Sequence, residues 1–375
     1  MNVRGSFWEE CSHHEPMEAQ TVSIRTTLSR RRPTPAGIEC SLHGYRIVQV
    51  DQYQGSRVRS ACMVPGDLTV DDVDMPALRK AVRNLSGRRC IVSPLNQSVI
   101  VRPARMPRLK GDEFREAARW EAAEMFECDA QELVAEPLVV SGAPGEDGRH
   151  DVLIVAARLE DVQRALEPLL TAGLRPVAVE PSFLGAGRAF ALRTRRKNDD
   201  PVSRAVVHIG HQSSSLVVMS GDRSIFAKTI SVGGEAFNQI VSDRLGIDEL
   251  TASEIRRDAA AGRLSMDILQ SVRDAIRRPA DELSNEVAMS LRYVSVAARI
   301  GSVQVIHVCG DEAGNPGIID SIKSSCQGIP VSGESVADQR LIDAMQCGGG
   351  APADWAVAFG LAIRPHETRV QGVAA

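Results

Sequence analysis

Three short turns in this sequence carry glycine and hydroxyl residues of the kind that bind phosphate groups. They are Glu39-Cys40-Ser41, the stretch from His208 to Ser215, and the loop from Gly310 to Gly317, and each follows an apolar run. Glycine lacks a Cβ atom, so backbone N–H groups in such turns can approach phosphate oxygens, and serine hydroxyls add further donors. We therefore predict a site for a phosphate-bearing ligand at these turns.

The second turn is the most informative because it has the sequence of a β-hairpin. An apolar run enters it at Val206-Val207, and another leaves it at Leu216-Val217-Val218. A further strand-to-helix turn follows at Gly233-Gly234. The candidate phosphate-contacting residues of all these turns are Glu39, Ser41, Gly210, Ser213, Ser214, Gly233, Gly234, Gly310 and Gly317.

The sequence predicts no catalytic residue and no metal site. The serine run 213–215 lacks a histidine base and an oxyanion signature, which argues against nucleophilic catalysis. For His208 we expect a hydrogen bond to a neighbouring loop rather than an active role. The eight cysteines include no C-x-x-C pair, which indicates reduced, buried thiols rather than zinc ligands or disulfides.

Composition excludes several classes of partner. The chain of 375 residues has 44 basic and 48 acidic side chains, so it is not a nucleic-acid binder that relies on bulk charge. No run of about 18 apolar residues is present, so we expect no direct membrane insertion. The N-terminus lacks the apolar core of a signal peptide. These features together favour a cytoplasmic protein.

The order of predicted elements indicates an α/β chain built from two similar halves. Residues 1–35 are polar and end in arginines, and we expect a disordered tail there. The first half is predicted at 36–195 and the second at 196–375, and each opens with a strand-turn-strand unit and ends in helices. Within the first half, alternating strand and helix patterns predict a small inserted α+β subdomain at about 96–175.

A set of sequence blocks in a fixed order carries a resemblance to a known family. The blocks are Val99-Ile100-Val101-Arg102 with Arg119-Trp120-Glu121-Ala122, the segment from Ala172 to Pro181, Val232-Gly233-Gly234, Ser290-Leu291-Arg292-Tyr293, and the segment from Ala356 to Arg364. They resemble the PilM family, actin-like cytoplasmic proteins of type IV pilus assembly that are related in fold to FtsA. The resemblance implies an actin-like (ribonuclease-H-like) fold of duplicated domains with an inserted subdomain.

The same resemblance implies a nucleotide site, and this chain departs from the family pattern at each phosphate turn. Ser41 stands where the family has glycine, although Glu39 keeps an acidic residue there. His208 replaces the aspartate that orients the metal or its waters, and Asp311 replaces the second glycine of a Gly-Gly pair. Losing a metal-orienting carboxylate commonly costs phosphoryl-transfer catalysis a few kcal/mol. We therefore predict that ATP hydrolysis is absent or negligible, while binding of ATP with magnesium stays open.

Three further features of the nucleotide region follow from the resemblance. Glu254 is placed to accept a hydrogen bond from the ribose, and Arg257 is placed to stack on the adenine. Gly233-Gly234 either approaches the nucleotide or forms only a tight turn. Glu180 corresponds to the acidic residue that closes the cleft in actin-like proteins, or else it is a carboxylate facing a positive helix dipole.

The resemblance also implies a role in holding partners. In PilM-like proteins, the groove between the core and the inserted subdomain takes up the cytoplasmic N-terminal peptide of PilN, a single-span membrane protein. We place this groove at Arg102, Trp120 and the strand 151–158, and expect Trp120 to anchor the subdomain rather than to serve as a ligand platform.

The expected function is therefore a cytoplasmic scaffold of a type IV pilus or a type II-like secretion machine. It would be peripheral at the inner membrane through its partner, with self-association left open. Two alternatives remain. One is an active actin-like ATPase that switches with nucleotide. The other is an FtsA-like cell-division tether, which the absence of an apolar stripe at 364–375 disfavours.

Overall fold

A computed structural model describes the parts of the chain that carry the predicted turns. The described residues are 33–51, 57–68, 72–140, 148–191, 203–260, 262–297, 302–332 and 352–365. The predicted tail at 1–35 lies almost wholly outside them, as does most of the expected boundary between the halves. The described cysteines are all free thiols. None of the described helices is long and apolar enough to cross a membrane.

The strands and helices follow the apolar patterning of the sequence. The described strands are β1 (Ala36–Ser41), β2 (Gly44–Asp51), β3 (Arg57–Asp67), β4 (Asp72–Val73), β5 (Arg89–Ser93), β6 (Val99–Pro107), β7 (Leu133–Val139), β8 (Arg149–Arg158), β9 (Arg175–Val179), β10 (Ser203–Ile209), β11 (Ser214–Ser220), β12 (Arg223–Ile230), β13 (Val305–Cys309) and β14 (Val331–Ser332). The described helices are α1 (Met75–Asn84), α2 (Gly111–Phe126), α3 (Leu159–Thr171), α4 (Ser182–Ala191), α5 (Gly234–Leu245), α6 (Glu249–Ala260), α7 (Met266–Ala297), α8 (Pro316–Ser325) and α9 (Ala356–Ala362).

The described strands form three sheets, two of which share one plan. The larger has the order β4-β3-β2-β1-β5-β9, and the second has the order β12-β11-β10-β13-β14. In each, a hairpin is followed by a parallel partner: β1 pairs with β2 antiparallel and with β5 parallel, and β10 pairs with β11 antiparallel and with β13 parallel. β1 and β10 are buried along their whole length, and this burial includes the polar side chains Glu39 of β1 and Arg204 and His208 of β10.

The third sheet has the order β6-β8-β7 and its own small core. Helix α2 covers it through Ala118 and Ala122, which pack with Ile154 of β8. The prediction that Trp120 anchors this unit is wrong, because its side chain is 61% exposed. Trp120 lies two residues from each buried alanine and therefore on the opposite side of the helix. The helix α3 that follows belongs elsewhere, because Leu169 packs in the core of the six-stranded sheet.

Two helices lie between the two larger sheets. Helix α4 packs closely against α9, and both helices contribute to the largest core cluster together with β10 and β11. Parallel neighbours end at the same edge of a sheet, so β1 and β5 end together in the first sheet and β10 and β13 end together in the second. The packing of α4 and α9 brings these two edges close to each other. The predicted phosphate turns follow these strand ends.

Candidate nucleotide cleft and partner groove

The three predicted turns meet at one small cavity between the two larger sheets. Glu39 and Ser41 from the first turn line it together with Gly210 from the hairpin and Asp311 from the last loop. The cavity has a volume of about 20 Å³, enough for one water molecule. In this conformation the turns therefore leave no room for a phosphate chain.

Four charged or titratable side chains fill the space between the turns. Glu39 lies opposite Arg46 in the β1–β2 register, and its Oε2 atom is 3.7 Å from Arg46 Nη1. Its Oε1 atom is 3.3 Å from Nε2 of His208, which comes from the other sheet. Arg46 also donates to Asp311 Oδ1. The side chains of Glu39, Arg46 and His208 are all at least nine-tenths buried.

The electrostatics of this cluster favour its charged forms. Burial alone would lower the pKa of Arg46, but the carboxylates of Asp311 and Glu39 raise it above the usual arginine value. Burial would likewise raise the pKa of Asp311, but the charges of Arg46 and His43 and the hydrogen bond from Arg46 outweigh it, so the pKa is lowered. The two groups therefore remain an ion pair across the cleft at neutral pH.

The candidate hydroxyl groups are already bonded within the protein. Ser41 Oγ donates to the carbonyl of Gly44 at 2.9 Å, which closes the β1–β2 turn. Ser214 Oγ donates to the carbonyl of Val232 at 2.6 Å, and this residue is fully buried. Ser213 accepts a hydrogen bond from Asn96 Nδ2 at 2.9 Å. Each hydroxyl supports a turn of the fold in this conformation.

Several candidate backbone donors are also occupied. The N–H group of Gly210 donates to the carbonyl of Ser213, and that of Gly234 donates to the carbonyl of Gly210, at 3.1 and 2.9 Å. The N–H group of Gly310 points to Ala353 O at 3.3 Å. The N–H group of Gly317 donates to Asn315 Oδ1, the N-terminal cap of α8. Phosphate could reach these donors only after the turns opened.

Gly233 and Gly310 are required by close backbone approach. A Cβ atom on Gly233 would lie 2.3 Å from the carbonyl oxygen of His211. Gly310 has φ +94°, and a Cβ atom there would lie 2.3 Å from the carbonyl oxygen of Ile209. Both glycines are therefore explained by packing between neighbouring turns.

The predicted nucleoside contacts lie on an exposed face of α6. Glu254 and Arg257 are both exposed, whereas Arg256 between them is buried. Arg256 donates to the carbonyl of Gly234 at 3.0 Å and pairs with Glu312 from the last loop. This buried pair ties α6 to the loop after β13. The helical phase of α6 thus places Arg256, not Arg257, at the inner face.

Glu180 precedes α4 and is held by two arginines. Its Oε2 atom is 3.0 Å from Arg188 Nη2, and its Oε1 atom is 3.1 Å from Arg364 Nε. Arg188 also donates to the carbonyl of Gly360. This carboxylate therefore joins α4 to the end of α9, and both of its oxygens have cationic partners.

A larger cavity of about 310 Å³ lies beside the cleft, between the first sheet and α3. Its apolar part is formed by Cys40, Tyr45, Leu68, Val73 and Leu95. Its polar rim includes Gln97 from the loop before β6 and the ion pair Asp161–Arg164 of α3. Gln212 of the hairpin turn also lines it. We call this cavity the α3 groove.

The α3 groove is not where the sequence placed the partner groove. Arg102 is exposed on β6 and Trp120 is exposed on α2, and neither residue lines this cavity. The strand 151–158 is part of β8, the central strand of its sheet, paired with β6 on one side and β7 on the other. A peptide cannot add to β8 as a neighbouring strand.

Three residues of the cleft were missed by reading the sequence. Arg46 could have been identified from the sequence, because it is a charged residue within the largely apolar run Tyr45 to Val50. Asn96 carried no such signal: it accepts from Ser182 Oγ at 2.6 Å and donates to Ser213, which lies 117 residues away in the chain. Arg256 lies between Glu254 and Arg257, and only the helical phase of α6 shows that it is the buried one.

Comparison with known proteins gives one family match. The family model described as type IV pilus assembly protein PilM matches residues 38–365. A solved structure titled PilM-PilN type IV pilus biogenesis complex matches at 22% identity and TM-score 0.68, covering 89% of this chain and 98% of that chain. The actin-like fold predicted from the sequence is thereby confirmed.

Other solved structures are more distant. The ethanolamine utilization protein EutJ from Carboxydothermus hydrogenoformans matches at 14% identity and TM-score 0.47, over 88% of this chain and 89% of its own. An activator of 2-hydroxyisocaproyl-CoA dehydratase from Clostridium difficile, with bound ADPNP, matches at 10% identity and TM-score 0.41, over 88% of this chain and 92% of its own.

Proposed function

The chain belongs to the PilM family of type IV pilus assembly proteins, and on that premise we propose that it is a cytoplasmic scaffold of a type IV pilus or related secretion machine. It holds the cytoplasmic N-terminal segment of a PilN-like single-span membrane protein and remains at the inner membrane through that partner. The observation that carries this proposal is the α3 groove, a cavity lined by both apolar and polar side chains beside a closed cleft.

The chemistry of the α3 groove suits a peptide. Its volume of about 310 Å³ lies at the lower end of ligand pockets, which matches one or two apolar side chains rather than a whole domain. Leu95 and Leu68 offer an apolar floor, while Gln97, Asp161 and Arg164 offer hydrogen-bonding groups at the rim. A peptide bound in this way gains affinity from buried side chains and register from its backbone.

The peptide proposal is tested by filling the groove. Ala165 lines it on α3 and is half-buried, so Ala165→Phe should occupy the space that a peptide side chain needs. Gln163→Phe is the matched control, because Gln163 is exposed on the same helix and does not line the groove. Calorimetry with the PilN N-terminal peptide should show a loss of at least tenfold in affinity for Ala165→Phe alone. Equal affinities in properly folded variants would reject the groove as the peptide site.

We further propose that this chain works without ATP hydrolysis. The support is chemical: His208 brings no anionic oxygen for magnesium, Arg46 and Asp311 pair across the space for phosphate, and the turn hydroxyls are bonded to the protein itself. The alternative, an ATP-dependent switch, requires the cleft to open and the Arg46–Asp311 pair to separate. Glu254, Arg257 and Gly210 remain available to a nucleotide in such an open state.

Thermal unfolding with ATP and magnesium separates the two possibilities. A ligand present at about 100 times its Kd adds about 2.7 kcal/mol of stability, which is easily detected. We expect no such shift in the native protein. The variant Ser41→Gly, His208→Asp, Asp311→Gly restores the family pattern and is the positive comparison. ATP turnover by the native protein that disappears in Glu39→Ala would establish the switch instead, whereas a nucleotide-dependent shift alone would establish binding without hydrolysis.

The FtsA-like tether and self-association have no support from the described residues. The tether would need an amphipathic C-terminal helix, and residues 366–375 lie outside the described part of the chain.

A further inference from the structure

A basic surface lies at the end of the first sheet that is opposite the cleft. Its members share exposure to solvent and a position around the start of β5. They are Arg79, Lys80, Arg83, Arg88, Arg89 and Arg175, and we call them the basic face. The protein as a whole carries a formal net charge of −4, so this concentration of positive charge is a local feature.

Backbone contacts hold the basic face together. Arg79 and Arg83 are one turn apart on the exposed side of α1. Arg88 donates to the carbonyl of Val82 at 2.7 Å, next to Arg83, and its own carbonyl accepts from the N–H group of Arg175 at 2.7 Å. Arg89 and Arg175 are direct partners in the parallel β5–β9 register. The six cations therefore share one small area.

The charges of the basic face are not neutralised by ion pairs. Within the described ranges, the ion pairs formed by arginine and lysine involve other residues, including those on α2, α3, α7 and α8, between β6 and β8, and around the cleft. The last acidic residue of α3 before the basic face is Glu167, which lies one turn before the C-terminal end of that helix. Six unpaired cations next to each other repel, and an anionic surface would relieve this repulsion.

Exposed apolar side chains border the basic face. Leu170 in the last turn of α3 is 54% exposed, and Val177 of β9 is 45% exposed on the same side of the strand as Arg175. Cations beside exposed aliphatic side chains suit the boundary between lipid headgroups and acyl chains. Exposed aromatic rings, which would stack on nucleic-acid bases, do not occur among these residues.

We propose that the basic face binds the surface of a membrane containing anionic phospholipids. This contact is electrostatic and peripheral, and it goes beyond a scaffold that reaches the membrane only through its partner. The basic face lies at the start of β5, and the cleft lies at its carboxyl end, roughly 13 Å away along the strand. Membrane contact at one end therefore leaves the cleft and the α3 groove accessible.

Vesicle sedimentation of the full-length chain tests the proposal. The probes are vesicles of phosphatidylcholine alone and vesicles of phosphatidylcholine mixed equally with phosphatidylglycerol. The native protein should sediment only with the anionic vesicles, and 1 M salt should release it, because the Debye length then falls to about 3 Å. The variant Arg79→Gln, Arg83→Gln, Arg89→Gln should bind roughly 100-fold more weakly, since each cation near an anionic surface contributes about fivefold.

A matched variant removes the same charge elsewhere. Arg244→Gln, Arg273→Gln, Arg278→Gln changes three exposed arginines of α5 and α7 and should keep native binding. Equal loss in both variants would show that net charge alone matters and would overturn the proposal. So would native protein that stays in solution with anionic vesicles at low salt. The surface would instead be assigned to nucleic acid if the basic-face variant lost binding to duplex DNA but kept native binding to anionic vesicles.

Discussion

Replacing Arg46 by methionine should destabilise the protein strongly. Arg46 is 6% exposed and lies between Glu39, 3% exposed, and Asp311. Methionine keeps much of the volume of the side chain and its apolar stem, so the substitution removes chiefly the charge and its hydrogen bonds. It leaves the Glu39 carboxylate in the interior with only His208 beside it.

The expected size follows from the burial of each partner. Removing one member of a buried ion pair costs about 3–5 kcal/mol, because the other charge stays desolvated. Glu39 fits that case, since its side chain is 4% exposed. Asp311 is a different case, because its side chain is 31% exposed and can regain water when Arg46 is removed. The loss of the Arg46–Asp311 pair should therefore cost about 1 kcal/mol or less. We therefore expect Arg46→Met to lower the free energy of unfolding by about 3–5 kcal/mol.

Urea unfolding of the native protein and of four variants measures this loss and its origin: Arg46→Met, Glu39→Gln, the two combined, and Arg277→Met. Arg277→Met is the control, because Arg277 pairs with Asp281 at 3.9 Å on the surface and its side chain is 80% exposed. That variant should lose less than about 1 kcal/mol. Adding Glu39→Gln to Arg46→Met should cost less than the two single losses combined, since the stranded charge is then gone. A loss for Arg46→Met no larger than that for Arg277→Met would refute a desolvated ion network in the cleft.

Three further predictions concern single positions. Gly310→Ala should lower the free energy of unfolding by about 1–3 kcal/mol because of its positive φ, whereas Gly314→Ala, with open space around it, should not; equal urea midpoints would contradict this. Trp120→Ala should change stability by less than about 0.5 kcal/mol, and a loss above 2 would mean that the ring packs. Because the fold lowers the pKa of Asp311 from its ordinary value of 3.8, the ionised carboxylate contributes stability above pH 3.8, and this stability is lost as the pH falls below that value. In acid titrations of unfolding, Asp311→Asn should therefore lose less free energy of unfolding than the native chain.

Local patterns predicted the strands and helices well because apolar periodicity and turn residues act over short distances. The hairpin predicted between Val206-Val207 and Leu216-Val217-Val218 forms where the pattern indicates, as the antiparallel pair β10–β11. A proline inside a helix commonly breaks it, but α7 continues as a helix through Pro279. Packing of a long amphipathic helix against α8 overrides the preference of one proline.

The site was harder to predict because its contacts join residues that are far apart in the chain. Arg46 and Asp311 are 265 residues apart, and no local rule pairs them. The sequence located the turns but did not indicate which groups their hydrogen-bond donors contact. Whether Ser214 donates to a ligand or to the carbonyl of Val232 depends on how another strand packs beside it. Trp120 fails for a similar reason, since an aromatic residue in an amphipathic helix is buried only if its phase matches the core.

The buried network gives the closed cleft a structural reason that does not involve nucleotide. Buried ion pairs contribute little net stability compared with apolar packing, but they define geometry, because a misplaced charge is left unpaired. Here Glu39 and Arg46 of one sheet meet His208 and Asp311 of the other, so the network defines how the two strand ends face each other. Cys40, Leu95 and Gln97 line both the cleft and the α3 groove, and the hairpin extends into that groove through Gln212. A cleft closed by its own side chains therefore also sets the shape of the groove.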